Sequence, residues 1–236
     1  MLRVCHPDHA ARYEFASRYV QGCDVLDAGC GFGYGSSILS AAATTVTGLD
    51  PYEPGVEYAR RHYPNCCFLV GELESIDLPN QSFGAVVSLE TIEHVRAPVR
   101  FLDRIRELLA PDGILVISSP NALVTSREGV LGDPTHLREY TPDQFRELLI
   151  DAGFENVTLF GVHVDITVWH RHAARSRLGR LDRLNLRRLL PVPIKARIIA
   201  LIAPTRSSWR EPVEITSDVA LGDSQIAVAR APSGQT

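Results

Sequence analysis

Two glutamates and a histidine lie close together in the segment Glu90-Thr91-Ile92-Glu93-His94, and a second histidine, His136, follows in GDPTHLREYT. If the chain is helical from residue 90, then Glu90, Glu93 and His94 occupy positions i, i+3 and i+4 and share one face. Two carboxylates and an imidazole suit a hard or borderline divalent cation. His136 could complete the ligand set, so the sequence predicts a metal site.

The same residues also permit chemistry without a metal. In that case Glu90 and Glu93 are structural, and one histidine is the general base that takes a proton from a substrate hydroxyl. We take His136 as the first candidate for this base and His94 as the second. Asp133 and Tyr140 could orient the substrate.

A glycine-rich turn follows the first strand, in Asp27-Ala28-Gly29-Cys30-Gly31-Phe32-Gly33-Tyr34-Gly35. Glycine has no Cβ and tolerates positive φ, so such a turn lets the backbone approach a ligand closely. Asp50 ends the second strand, where its carboxylate can accept hydrogen bonds from both ribose hydroxyls of an adenosine. The glycines alone are a weak signal, because dinucleotide-binding proteins use a similar turn.

Short apolar runs alternate with amphipathic segments along the chain, which indicates a parallel sheet covered by helices. We predict an α/β fold with a Rossmann-like, seven-stranded, mainly parallel sheet and helices on both faces. The predicted strands are DVLDAGC, TTVTGLD, CCFLVGE, AVVSLE, ILVISSP, NVTLFGV and SQIAVARA. Thr141 is the expected N-cap of the last core helix, with Pro142 at its first position and Gly153 at its end.

Three parts of the chain are expected. Residues 1–162 form the cofactor-binding core, which begins with a capping helix over residues 7–20. Residues 163–222 form an inserted helical subdomain that acts as a lid or a homodimer contact, and residues 223–236 supply the last strand and a tail. Between residues 170 and 210 there are eleven basic residues and one acidic residue, in a chain whose net charge is −4.

Composition limits the class of protein. The chain has 236 residues, of which 45% are hydrophobic, enough for one sizeable core. No run approaches the ~20 apolar residues of a membrane span, and the N-terminus lacks the apolar stretch of a secretory signal. We therefore expect a cytoplasmic protein without a membrane span. Its five cysteines lack paired metal-site spacing, which argues against structural zinc or a disulfide framework.

The run VLDAGCGFGYG, together with TGLD and LAPDGILVISSP, resembles the class I S-adenosylmethionine (SAM) dependent methyltransferases. The resemblance covers residues 7–160 and the final strand, and it implies SAM as cofactor. It implies contacts between SAM and the following residues: Asp27, Gly29, Gly31, Gly33, Asp50, Glu72, Leu73 and Ser88. In the N-terminal helix, Arg12 and Tyr13 could close over the methionine carboxylate or the acceptor, or they could belong to an ordinary capping helix.

The E-x-x-E-H segment with a later histidine is similar to the metal-binding pattern of small-RNA 3′-terminal 2′-O-methyltransferases. Its first part also resembles ubiquinone-pathway O-methyltransferases. Both resemblances imply a Mg²⁺-type ion, held by Glu90, Glu93, His94 and His136, that binds neighbouring oxygens of a diol. HLREYTPDQFRELLIDAGF is similar to segments of bacterial enzymes that methylate sugars, including mycobacterial enzymes for methylated polysaccharides. The expected acceptor is therefore a sugar or oligosaccharide hydroxyl.

Three alternatives remain open. RNA 2′-O-methylation is supported by the Glu/His pattern and the arginine-rich insertion, but the acidic body and the lack of aromatic-basic interleaving argue against nucleic acid. A metal-free O-methyltransferase acting on a quinol-type small molecule is the second. The third is a noncatalytic SAM-binding protein, although such a protein has no need of the Glu/His cluster.

Overall fold

The computed structural model describes residues 7–75, 77–126, 131, 135–164 and 213–233. Its eight strands are β1 (Asp24–Ala28), β2 (Thr45–Asp50), β3 (Cys67–Val70), β4 (Phe83–Ser88), β5 (Leu109–Pro120), β6 (Glu155–Val164), β7 (Val213–Thr216) and β8 (Ser224–Arg230). Its α-helices are α1 (Pro7–Ala16), α2 (Tyr34–Leu39), α3 (Glu53–His62), α4 (Pro98–Leu108), α5 (Ala122–Thr125) and α6 (Pro142–Asp151).

The strands form one mixed sheet in the order β3-β2-β1-β4-β5-β8-β6-β7. Strands β1 to β5 are parallel to one another, β8 is antiparallel to both β5 and β6, and β7 is antiparallel to β6. The α/β prediction is thus confirmed, but the prediction of seven strands was short by one. The additional strand, β7, is a four-residue edge strand, which leaves a weak signal in the sequence.

Apolar side chains cover both faces of the sheet because successive residues of a strand point to opposite sides. Leu26 of β1 packs in the cluster that includes Phe101 of α4 and Phe145 of α6. Its neighbour Val25 packs in the cluster of α1 and α2 on the other face. Helices therefore lie on both faces, as predicted.

The predicted capping of α6 is confirmed. The hydroxyl of Thr141 accepts a hydrogen bond from the backbone N–H of Gln144, and the Gln144 side chain accepts one from the N–H of Thr141. Pro142 is the first helical residue, and Gly153 follows the helix with φ of 84°. Together these residues satisfy helix-end donors and end the helix sharply.

The predicted insertion over residues 163–222 is described only at its two ends. Residues 163 and 164 continue β6, and residues 213–216 form β7 rather than a helix. The two helices expected within residues 170–210, and the homodimer contact assigned to them, lie outside the described residues. Within the part of the chain that the structure describes, no helix has both the length and the apolar character that crossing a bilayer requires.

Candidate active site

The glycine turn after β1 is built from left-handed residues. Gly29, Gly31 and Gly33 have φ of 91°, 52° and 77°. A Cβ on Gly29 would collide with the side chain of Thr91, and one on Gly33 would collide with Ala59 and Phe68. A Cβ on Gly31 would meet no atom of the described residues within 4 Å. The turn is thus packed against other residues at Gly29 and Gly33 but is open at Gly31, where a ligand has room.

Asp50 lies at the carboxyl end of β2, beside this turn. One oxygen of its carboxylate accepts a hydrogen bond from the backbone N–H of Gly31 at 2.8 Å, and the other accepts one from the N–H of Tyr52 at 2.8 Å. Each carboxylate oxygen has two lone pairs, so both keep capacity for a ribose hydroxyl. The position is the one that the sequence assigned to Asp50.

Asp27 is completely buried beneath the turn. Its two oxygens accept hydrogen bonds from the hydroxyls of Tyr13 (3.1 Å) and Ser36 (2.6 Å). Burial raises the pKa of Asp27 to about 7, although both hydrogen bonds act in the opposite direction. The hydrogen bond between Tyr13 and Asp27 thus ties α1 to the start of the glycine turn. The Tyr13 ring also packs against Gly35, at the other end of the turn.

The side chain of Arg12, in α1, is buried against the sheet at the start of β8. Its guanidinium pairs with Asp8 at 2.9 Å and with Glu90 at 3.5 Å. It also donates two hydrogen bonds, of 3.1 and 2.8 Å, to the hydroxyl of Ser224 at the start of β8. The sequence analysis left open a ligand contact or an ordinary capping helix for this residue, and in the structure its guanidinium is buried and paired with protein groups.

The segment that follows β4 differs from the helix expected there. Glu90 has φ of 50°, and only Ile92–His94 form a single 3₁₀ turn. The left-handed residue sends the Glu90 side chain towards Ser118, whose hydroxyl donates to the Glu90 carboxylate and accepts from the Glu90 backbone N–H, both at 2.8 Å. Glu90 therefore does not share a helical face with Glu93 and His94.

Glu93, His94 and His136 do come together. One potential ligand atom from each lies within 4.8 Å of those of the other two, and the two imidazole rings are 5.0 Å apart. The backbone carbonyl of Glu93 accepts the N–H of Leu137 at 2.8 Å, which fixes the loop carrying His136 against the 3₁₀ turn. Three of the four predicted ligands thus form one cluster.

The carboxylate of Glu93 is the buried member of this cluster. Glu93 is 1% exposed, and among the residues that the structure describes its Oε2 atom has no hydrogen-bond partner. Burial, and then repulsion from Glu90, raise the pKa of Glu93 well above its ordinary value. A buried carboxyl oxygen without a partner is costly unless a proton or a cation compensates it.

The remaining predicted residues surround these groups. Ser88 ends β4, is buried, and donates to the carbonyl of Ala28 at 2.9 Å. Glu72 is exposed, and Leu73 begins a 3₁₀ turn after β3. Both residues follow the carboxyl end of β3, which is paired with β2, the strand that ends at Asp50. Tyr140 is buried, and Asp133 lies outside the described residues.

Several partners of the site were missed by the sequence analysis. Ser36 and Ser118 support Asp27 and Glu90, and Ser224 supports Arg12. Glu139, whose carboxylate lies 2.7 Å from Nδ1 of His136, was missed too. Only Glu139 left a local signal, since it follows His136 by three residues.

Comparison with known proteins identifies the family of the chain. A family model described as a methyltransferase domain matches residues 9–159. A protein from Mycolicibacterium smegmatis, named as a probable SAM-dependent methyltransferase, is 36% identical over 156 residues, which are 65% of this chain and 60% of the relative. A ubiquinone biosynthesis O-methyltransferase from Azorhizobium caulinodans is 32% identical over 178 residues, 69% of each chain. The chain thus spans about 60% of the length of the mycobacterial relative.

Solved structures share the fold at low identity. A SAM-dependent methyltransferase from Thermotoga maritima superposes with a TM-score of 0.65 at 15% identity, covering 94% of this chain and 89% of that one. Phosphoethanolamine N-methyltransferase 2 from Haemonchus contortus, solved with SAM, gives 0.61 at 15% identity and covers 94% of this chain and 52% of that one. Because the family model also matches well over half of the sequence, the chain belongs to the methyltransferase-domain family and has the class I SAM-dependent methyltransferase fold.

Proposed function

We propose that the chain is a SAM-dependent O-methyltransferase that acts on a hydroxyl with a neighbouring oxygen, with help from a divalent cation. The observation that carries the proposal is the cluster of Glu93, His94 and His136, whose ligand atoms lie within 4.8 Å of one another. This cluster adjoins the glycine turn, because Thr91 packs against Gly29 and stands two residues before Glu93. A methyl donor on the turn and an acceptor at the cluster would therefore be neighbours.

The turn suits SAM for three reasons. The open space above Gly31 can admit the amino-acid end of the cofactor. The Asp50 carboxylate is fixed by two backbone N–H groups and keeps lone pairs for a ribose. The sheet order reverses between β1 and β4, and ligands of open α/β sheets bind at the carboxyl ends of the strands beside such a point.

The cluster suits a divalent cation by its donor chemistry. Glu93 offers a buried oxygen that no described residue hydrogen-bonds, and a carboxylate is a ligand that Mg²⁺ accepts. The two imidazoles also suit softer ions such as Mn²⁺, Fe²⁺ or Zn²⁺. We propose Glu93, His94 and His136 as the ligands, with Glu90 held instead by Arg12 and Ser118.

Methyl transfer from a sulfonium is an in-line displacement. The acceptor oxygen bonds to the methyl carbon while the carbon–sulfur bond breaks, and S-adenosylhomocysteine leaves. A cation held by the cluster would supply charge that lowers the pKa of the acceptor hydroxyl, and the released proton would pass to water. Without a cation, His136 or, second, His94 would take the hydroxyl proton.

We propose a sugar or oligosaccharide as the acceptor, because a vicinal sugar diol offers two neighbouring oxygens. A catechol or quinol has the same feature and is the second candidate, favoured by the identity with ubiquinone biosynthesis O-methyltransferases. RNA 2′-O-methylation and a noncatalytic SAM-binding role remain alternatives. The first predicts salt-dependent binding of short RNA, and the second predicts SAM binding without turnover.

The test measures release of S-adenosylhomocysteine from SAM by the metal-stripped protein, with Mg²⁺ or Mn²⁺ added back. Sugars with vicinal diols, catechols and matched compounds with one hydroxyl are offered in parallel. We expect turnover with one diol class, its loss in EDTA, and its loss in Glu93→Gln but not in Glu147→Gln, which alters an exposed glutamate of α6. Full turnover in EDTA would refute the metal, and no turnover with any hydroxyl acceptor would refute O-methylation.

A further inference from the structure

Glu139 bridges the candidate site and α5. One oxygen of its carboxylate lies 2.7 Å from Nδ1 of His136. The other accepts hydrogen bonds from the hydroxyls of Thr125 at 2.5 Å and Ser126 at 2.6 Å. Thr125 is the last residue of α5 and Ser126 its C-cap, so the carboxylate joins two separate segments.

This carboxylate is buried and fixed. Its side chain is 1% exposed. The hydroxyls of Thr125 and Ser126 hold Oε2, and Oε1 lies against the imidazole of His136. With both oxygens engaged, the group has no freedom to turn away from His136.

Thr125 and Ser126 both donate to the carboxylate of Glu139, and a carboxylate accepts hydrogen bonds and donates none. The proton of a neutral His136 must therefore lie on Nδ1, which leaves the lone pair of Nε2 free. His94 is arranged in the same sense, since its Nδ1 lies 3.2 Å from the carbonyl oxygen of Thr135, another acceptor. Both imidazoles thus keep Nε2 for a cation or for a substrate proton.

The two histidines differ in the charge of their partners. His136 faces the carboxylate of Glu139, whereas His94 faces a neutral peptide carbonyl. A carboxylate behind an imidazole orients the ring and makes its free nitrogen a better base and a better ligand. We therefore expect Nε2 of His136 to be a better base and a better ligand than Nε2 of His94.

We propose that Glu139 is the positioning residue of His136, fixing its Nδ1–H tautomer and ring orientation. The proposal rests on the proposed function for the use made of Nε2, but the tautomer itself is a property of the protein without cofactor or metal. Thr125 and Ser126 serve this role indirectly by holding the carboxylate.

The first measurement is the long-range ¹H–¹⁵N spectrum of the histidine side chains at a pH where they are neutral, with His136 identified by its loss in His136→Gln. We expect His136 to carry its proton on Nδ1 in the wild type and in the control Glu147→Ala. In Glu139→Ala the resonances should shift towards a mixture of tautomers. Glu139→Gln, whose amide oxygen can still accept from Nδ1–H, should restore the wild-type tautomer.

The second measurement is calorimetric titration of the same proteins with Mn²⁺. Loss of an outer carboxylate behind a metal-binding histidine lowers metal affinity about 10- to 100-fold, and we expect a fall of that order in Glu139→Ala. Glu139→Gln, which keeps the hydrogen bond without the charge, should fall less. If Glu139→Ala does not fold, the pair Thr125→Val and Ser126→Ala removes the donors to Oε2 and should shift the tautomer in the same direction.

An unchanged His136 tautomer in Glu139→Ala would overturn the proposal. So would wild-type Mn²⁺ affinity in that variant. If the wild type binds no Mn²⁺, the metal part of the proposed function fails, yet the spectra still decide the role of Glu139.

Discussion

The hydroxyl of Tyr13 in α1 donates a hydrogen bond of 3.1 Å to the buried carboxylate of Asp27 at the end of β1. The two residues belong to the first helix and the first strand, and the same tyrosine ring packs against Gly35. The N-terminal helix therefore supports the glycine turn directly.

Tyr13→Phe should destabilise the protein. The substitution keeps the ring against Gly35 but removes one of the two side-chain donors to a buried carboxylate, a loss of about 1–3 kcal/mol. Urea denaturation measures the free energy of unfolding. Tyr52→Phe, at an exposed tyrosine, is the matched control, and equal stability of the two variants would contradict the prediction.

Stability should fall as the pH rises from about 4 to 7. Burial raises the pKa of Asp27 from 3.8 to about 7, so in this window the folded state holds a proton that the unfolded state has released. The stabilisation is complete below the unfolded pKa and is lost as the pH passes the folded one. A single such group changes the free energy of unfolding by at most about 1.4 kcal/mol per pH unit.

Denaturation curves at successive pH values provide the test. Asp27→Asn should flatten the decline between pH 4 and 7, while Asp151→Asn, at an exposed position in α6, should leave it in place. An equal slope in wild type and Asp27→Asn would show that Asp27 does not titrate in this range.

Glu90 and Glu93 should respond differently to loss of charge. Glu93→Gln should lower the affinity for Mn²⁺ at least about tenfold, because Glu93 is the carboxylate of the three-residue cluster. Glu90→Gln should mainly lower stability, by about 3 kcal/mol, because it deprives the buried guanidinium of Arg12 of a partner. Calorimetric titration and urea denaturation of both variants separate the two effects. Equal losses of Mn²⁺ affinity would instead make Glu90 a ligand.

Gly29→Ala and Gly31→Ala should also differ. At Gly29 a methyl group adds a collision with Thr91 to the strain of a positive φ, so we expect a loss of stability of about 3 kcal/mol. At Gly31 only the strain applies, about 1–2 kcal/mol, and the methyl group instead occupies open space.

SAM binding completes this comparison. Gly31→Ala should weaken SAM binding more than its small effect on folding explains. Thermal unfolding and equilibrium binding of SAM give the two quantities. A Gly31→Ala variant with wild-type SAM affinity would place the cofactor elsewhere.

The regular part of the fold could be predicted because its signals are local. Apolar runs marked seven of the eight strands, and the Thr141 to Gln144 capping box marked the start of α6. Strand β7 was missed because a four-residue edge strand buries little apolar surface. The left-handed backbone of Glu90 prevents the expected helix from starting at this residue. A glutamate rarely adopts that conformation, so the sequence contains no indication of it.

The site could be predicted as far as its residue types allowed. Glu93, His94 and His136 were named from spacing and chemistry, and they lie together. The contact of Arg12 with Ser224 could not be predicted, because Ser224 is 212 residues away and the contact depends on the whole sheet. Sequence spacing reports neighbours on one helix, whereas buried charges are paired by tertiary structure.

The position of β8 has a consequence for synthesis of the chain. This strand lies between β5 and β6, which precede it in sequence, and it supplies Ser224 to Arg12. When the growing chain has emerged only as far as β6, the strand that pairs with both β5 and β6 has not yet been synthesised. The edges of β5 and β6 that later pair with β8 are then unpaired and open to association with other chains. Ribosome-stalled or prematurely terminated products that end before Ser224 should therefore be the aggregation-prone forms of this protein.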